Sequence, residues 1–198
     1  MSVAWRSAAI AVGIVACLTL VVRPASAQQE GSTEKTFAPG GQVRMDLSAG
    51  DYSIEPGRDD RILVRWDARA SDSSTPVKVD IQVRGSDATI TISGPRNNFK
   101  VTIELPARAD VRVELSAGNF RMRGITGNKD ISSYAGNVEI ATGPANDYAT
   151  VDASVKAGEL MATSFNTSKS GLFRSFSWKG PGHYTLRVSL YAGNVRLY

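Results

Sequence analysis

Few side chains in this chain have the types and spacing for chemistry. The 198 residues hold one cysteine, Cys17, and one histidine, His183. A thiol nucleophile or thiolate ligand has to be Cys17, and a lone histidine cannot build a histidine-rich metal centre. A serine triad would pair His183 with Ser175 or Ser189, yet no Gly-x-Ser-x-Gly elbow presents either hydroxyl. Glycoside cleavage needs two acids facing each other across roughly 5–10 Å. Asp130, Glu139, Asp152 and Glu159 are the acids of the repetitive region, and side-chain alternation sends them to different corners. Asp51, Asn119, Asn137, Glu159 and Asn194 recur at one place in a repeated phrase. Only two of the five are carboxylates, whereas Ca²⁺ takes six to eight oxygens, so a stacked amide ladder is the expectation. The residues thus point away from catalysis, a metal and a cofactor. They point instead to binding through Tyr134, Lys156 and Tyr191, an aromatic–cation row on which a polysaccharide would stack, the other reading being an ordinary β face. Phe173, Phe176 and Trp178, in the turn-rich segment 163–182, either cap the core or form an exposed contact patch.

What must position these residues is a phrase present five times: apolar-x-Ala-Gly-[Asp/Asn/Glu]-apolar-x-apolar. Its glycines are Gly50, Gly118, Gly136, Gly158 and Gly193. Inward residues of a strand lie two apart, as Val111, Val113, Leu115 and Ala117 do. After Gly118-Asn119 the apolar residues fall on Phe120 and Met122, so the parity has flipped. The same flip occurs in every copy. Gly followed by Asn or Asp tolerates positive φ, which lets the chain turn there. Either a two-residue hairpin turn or the corner of a β-solenoid fits. Steps of 18 and 22 residues between Gly118, Gly136 and Gly158 suit one coil each and favour the solenoid.

Residues 1–27 read as a secretory signal, with Arg6 before the apolar run 8–22 and Ala25-Ser26-Ala27 as the cleavage site. A lipoprotein signal processed at Cys17 is the competing reading. Two of the 23 basic residues and none of the 19 acids lie in this leader, leaving 21 against 19 and a net +2. That balance is no nucleic-acid footprint. The apolar run 8–22 is short for a spanning helix, and past the leader there is no cysteine, hence no disulfide, and no run long enough to span a membrane as a helix. Residues 28–37 are polar and read as a flexible lead-in. Residues 61–105 carry strands with period-two patterning and turn clusters at 71–76 and 95–98. No helical periodicity persists, so the fold is all-β.

The segment LPARADVRVELSAGNFRMRGITGNKDISSYAGNVEI, which begins at Leu105, resembles an adhesin-like repeat domain of unknown function found in exported bacterial proteins. The terminal stretch ending in LYAGNVRLY resembles that family's last repeat. The resemblance implies a β-solenoid and an exported location, and it carries no active site. The expected organisation is therefore a leader (1–27), a lead-in (28–37) and one solenoid domain (38–198). The domain has coils of about 18–22 residues, preceded by irregular antiparallel strands. The expected function is a non-catalytic envelope protein, periplasmic or at the surface, binding envelope polymers, proteins or itself. Two alternatives stand beside it: a small polysaccharide-cleaving enzyme using acids near Glu139 and Arg121, and a structural or stress-related envelope scaffold.

Overall fold

The computed structural model describes residues 28–69 and 75–198. The expected leader with Cys17 and most of the expected turn at 71–76 lie outside them. Among the described residues twelve strands follow one another, with two short 3-10 turns at Ala145–Asp147 and Thr163–Phe165. They are β1 (Gln28–Thr36), β2 (Gln42–Leu47), β3 (Gly50–Pro56), β4 (Arg61–Arg69), β5 (Lys78–Arg84) and β6 (Asp87–Ser93). Next come β7 (Phe99–Leu105), β8 (Asp110–Met122), β9 (Lys129–Ile140), β10 (Tyr148–Ala162), β11 (Thr167–Lys179) and β12 (Tyr184–Leu197). All belong to one sheet, which does not close on itself.

The flip of parity at each Ala-Gly is a bend inside a strand. In β8 the buried residues are Val111, Val113 and Leu115 before Gly118, then Phe120 and Met122 after it. Strands β9, β10 and β12 bend at Gly136, Gly158 and Gly193 in the same way. Neighbouring strands are parallel and in register, so the glycines pair directly: Gly50 with Gly118, Gly118 with Gly136, Gly136 with Gly193, and Gly193 with Gly158. Gly118, Gly136, Gly158 and Gly193 hold φ between +118° and +138°. A Cβ on any of them would be driven into the carbonyl of the preceding glycine in the stack. Only glycine satisfies both conditions.

Spatial order departs from chain order. The last copy of the phrase, on β12, lies between the third, on β9, and the fourth, on β10. The gap of 68 residues after Gly50 is an excursion that returns to the stack, since β2 and β3 pair in parallel with β8. The excursion itself adds a layer, with β6 parallel to β2 and β7 parallel to β3. The expected irregular antiparallel part is thus confined to β1, β4 and β5, which close one end of the stack.

Two expectations are corrected here. Residues 28–37 are not a loose lead-in, because β1 pairs antiparallel with β4 along its whole length, from Gln28–Arg69 to Thr36–Arg61. A strand at a sheet edge is held by backbone hydrogen bonds and needs few apolar side chains, so its polar sequence hid it. Gly31 lets the chain lie flat on the Trp66 indole, which a Cβ would strike, and buried Phe37 anchors its end. Likewise, most of the segment 163–182, expected to be turn-rich, is β11, antiparallel to β10 from Thr150–Lys179 to Ala162–Thr167. Both ends of the parallel stack are therefore covered by antiparallel strands. The core runs without interruption between them, from Phe37 and Met45 through Phe120 and Val138 to Leu186 and Leu197.

Candidate functional site

Residues at one register position become neighbours about one strand spacing apart, roughly 4.8 Å. The residue before each Ala-Gly faces outward, which places Tyr134 of β9, Tyr191 of β12 and Lys156 of β10 in one row. The tyrosine rings stack with centroids 4.9 Å apart and 9° between planes. Lys156 Nζ lies 5.0 Å from the Tyr191 centroid, on a cation–π contact. The row predicted from sequence exists, with Tyr191 rather than Lys156 at its middle, because β12 inserts between β9 and β10. Tyr134 is 64% exposed and Tyr191 47%. These contacts are worth about 0.5–1.5 kcal/mol each. Beside the row runs an open groove of about 420 Å³, lined by Asp46, Glu114, Ser116, Ser132 and Ser189 together with the tyrosines.

The aromatic trio divides. Phe176 is buried and Trp178 partly buried, and both rings meet Phe165, at centroid distances of 5.7 and 5.1 Å. They cap the core. Phe173 instead is 78% exposed, with φ of +53°, a conformation that a bulky residue rarely adopts. Leu172 beside it is 65% exposed.

At the corner the amides form the expected ladder. Asn194 Nδ2 donates to Asn137 Oδ1 at 2.9 Å, Asn137 Nδ2 to Asn119 Oδ1 at 2.8 Å, and Asn119 Nδ2 to Asp51 Oδ1 at 2.7 Å. Every amide donates in one direction, toward a carboxylate that can only accept. Among the described residues, no three His, Cys, Asp or Glu side chains gather as metal ligands. On the wall past the corner, Arg121 Nε donates to Glu139 Oε2 at 3.0 Å, and Arg196 is the next rung. The bond to Glu139 raises the pKa of the Arg121 guanidinium further.

The catalytic geometries considered from sequence are not assembled. His183 is exposed just ahead of β12, and Ser189 lies six residues along the extended chain, roughly 20 Å away. Ser175 pairs with Ser154, in the same stretch of sheet as Ser189. Glu139 has arginines as both register neighbours, Arg121 and Arg196. Asp130 and Asp152 do share a row, contrary to the expected separation, but Arg187 stands between them.

Sequence reading missed Lys129. It occupies an inward position of β9, opposite Val111 and Leu186, and is 3% exposed. Its ammonium donates to Gly127 O at 3.0 Å and to Tyr148 Oη at 3.4 Å, with the Tyr148 centroid 5.5 Å away. Burial pushes its pKa down to about 8, against the pull of Asp110 and Asp147. Burial likewise pushes Tyr148 and Tyr52 up to about 12. The clue was parity: Lys129 shares the phase of Ile131 and Ser133.

No family model matches the chain, and no curated protein does. Among solved structures, a candidate cell adhesion protein from Clostridium sporogenes is similar over 85% of this chain and 99% of that one, at 16% identity and a TM-score of 0.51. Candidate adhesins from Parabacteroides merdae and Bacteroides fragilis align at TM-scores of 0.33 and 0.30. Their identities are 10% and 9%, covering 57% and 87% of this chain and 56% and 99% of theirs. The Clostridium sporogenes structure shares the all-β fold. Among the described residues, no helix is long and apolar enough to cross a membrane.

Proposed function

We propose that this chain is an exported, non-catalytic contact module of the adhesin type, whose bent strands are the coils of a β-solenoid. Its leader 1–27 directs export, and its place of action is the periplasm or the cell surface. The observation that carries this reading is the in-register row Tyr134–Tyr191–Lys156 on a wall of small hydroxyl residues. Large exposed aromatics cost solubility and add little to the core, so a wall that repeats them has a use in contact. The name of the Clostridium sporogenes neighbour, a candidate cell adhesion protein, agrees with it. Envelope polymers or proteins are the partners this surface suits. Purified protein should bind cell-envelope preparations, and Tyr134→Ser with Tyr191→Ser should reduce that binding by about tenfold, which is ~1.4 kcal/mol. Unchanged binding of the double variant, or no binding by the parent protein, defeats the reading.

A further inference from the structure

The tyrosine stack ends abruptly. Tyr191 is covered on one face by Lys156 and on the other by Tyr134, whereas Tyr134 has its second face toward β8. The residue of β8 at that rung is Ser116, exposed between the pairs Leu115–Ser133 and Ala117–Ala135. A flat ring lying over Ser116 would continue the stack at the spacing the two tyrosines already have. Two residues earlier on the same face, roughly 7 Å along the strand, Asp46 and Glu114 are register partners, and Ser132 and Ser189 extend their row.

Resting on the contact-module reading, we propose that this groove is a subsite for one neutral pyranose ring of a polysaccharide, stacked on the free face of Tyr134 above Ser116. A pyranose has an apolar C–H face that suits an aromatic ring and a rim of hydroxyls that need acceptors and donors. The Asp46 and Glu114 carboxylates supply acceptors, and the serine hydroxyls supply both. Charge argues for a neutral ligand. Arg112 Nη2 lies 3.5 Å from Glu114 Oε1, and Arg44 shares the exposed face of β2 with Asp46, so the acids are balanced and a cation gains little. An anion would meet both carboxylates, and Lys156, which also lines the groove, is engaged on the Tyr191 ring, so the charges of the groove offset one another.

The test is titration of the full chain with chitin- and cellulose-derived oligosaccharides by calorimetry, alongside binding to envelope preparations. Ser116→Tyr fills the rung with a protein ring. It should weaken oligosaccharide binding at least about tenfold while the melting temperature stays level or rises. Tyr134→Ser should weaken it similarly, and Glu139→Gln, on the other wall, should not. Oligosaccharide binding that survives Ser116→Tyr or Tyr134→Ser overturns the subsite. Should Ser116→Tyr misfold, the exposed Tyr134→Ser decides alone. Adherence to envelope preparations without any oligosaccharide binding overturns the subsite but spares the contact-module reading, and loss of both removes the two together.

Discussion

The two walls on either side of the Ala-Gly corner are built by the same register, yet they differ in what they leave for a partner. Past the corner, Arg121, Glu139 and Arg196 alternate in sign, so each rung answers its neighbour within the chain. The corner amides do the same with donors and acceptors, ending on Asp51. Before the corner, the row is Ser116, Tyr134, Tyr191 and Lys156, and an aromatic ring has two faces to satisfy. The inner ring is covered on both sides and the outer one on one. Stacking turns any repeated residue into a ladder. A ladder is self-contained when its rungs complement each other, and it stays open where a large rung borders a small one.

Breaking the shared register has the largest expected effect. Gly136 has stack neighbours on both sides, and Gly136→Ala forces a Cβ onto the Gly118 carbonyl at φ +121°. A loss of about 3–5 kcal/mol is expected in denaturant unfolding, dismantling both walls together. If the variant unfolds like the parent, the corners are not what aligns the rows.

A smaller effect comes from the core behind the walls. Lys129 titrates near 8 in the folded chain and near its ordinary 10.5 when unfolded. The unfolded chain therefore holds the extra proton between those values. The penalty for burying the ammonium, up to ~3 kcal/mol, is complete below pH 8 and is relieved as pH rises toward 10.5. Tyr52 and Tyr148 act oppositely, since their raised pKa values make the folded chain hold protons that the unfolded chain sheds above pH 10. Stability should climb from pH 8 to about 10 and then fall. Lys129→Met should raise stability at pH 7 by on the order of 1–3 kcal/mol and erase the climb. A climb that persists in Lys129→Met assigns the titration elsewhere.

The smallest stability change separates the walls most sharply. Glu139→Gln removes an exposed pair worth less than about 1 kcal/mol, and the difference should shrink as salt is added. It should leave partner binding intact, whereas Tyr134→Ser should lose binding at a stability cost no larger than the roughly 0.5–1.5 kcal/mol of its ring stack. Reversal of that pattern would put the contact surface on the charged wall.

Much of this is legible in the amino-acid sequence. The Ala-Gly-Asn phrase with its flip of parity marks a bend that only glycine permits, and the same alternation foretells which tyrosines, amides and charges face outward. Composition and period alone made the chain all-β. Other features were hidden because they depend on what lies across a strand rather than along it. The polar strand Gln28–Thr36 is held by β4, whose backbone groups pair with it regardless of side chains. Phe173 and Phe176 look alike in sequence, yet only Phe176 has Phe165 to pack on.

What the sequence determined is therefore local: where the chain bends and which side chains leave the core, both set by φ and by the period of two. What tertiary structure decided is order. Insertion of β12 between β9 and β10 puts Tyr191 against Tyr134, and leaves Lys156 to close one end of the stack and Ser116 the other. Spacing along a chain carries no information on which of several equivalent edges a returning strand will take, because every layer presents the same backbone donors and acceptors. Only the side chains meeting across the new seam distinguish one edge from another.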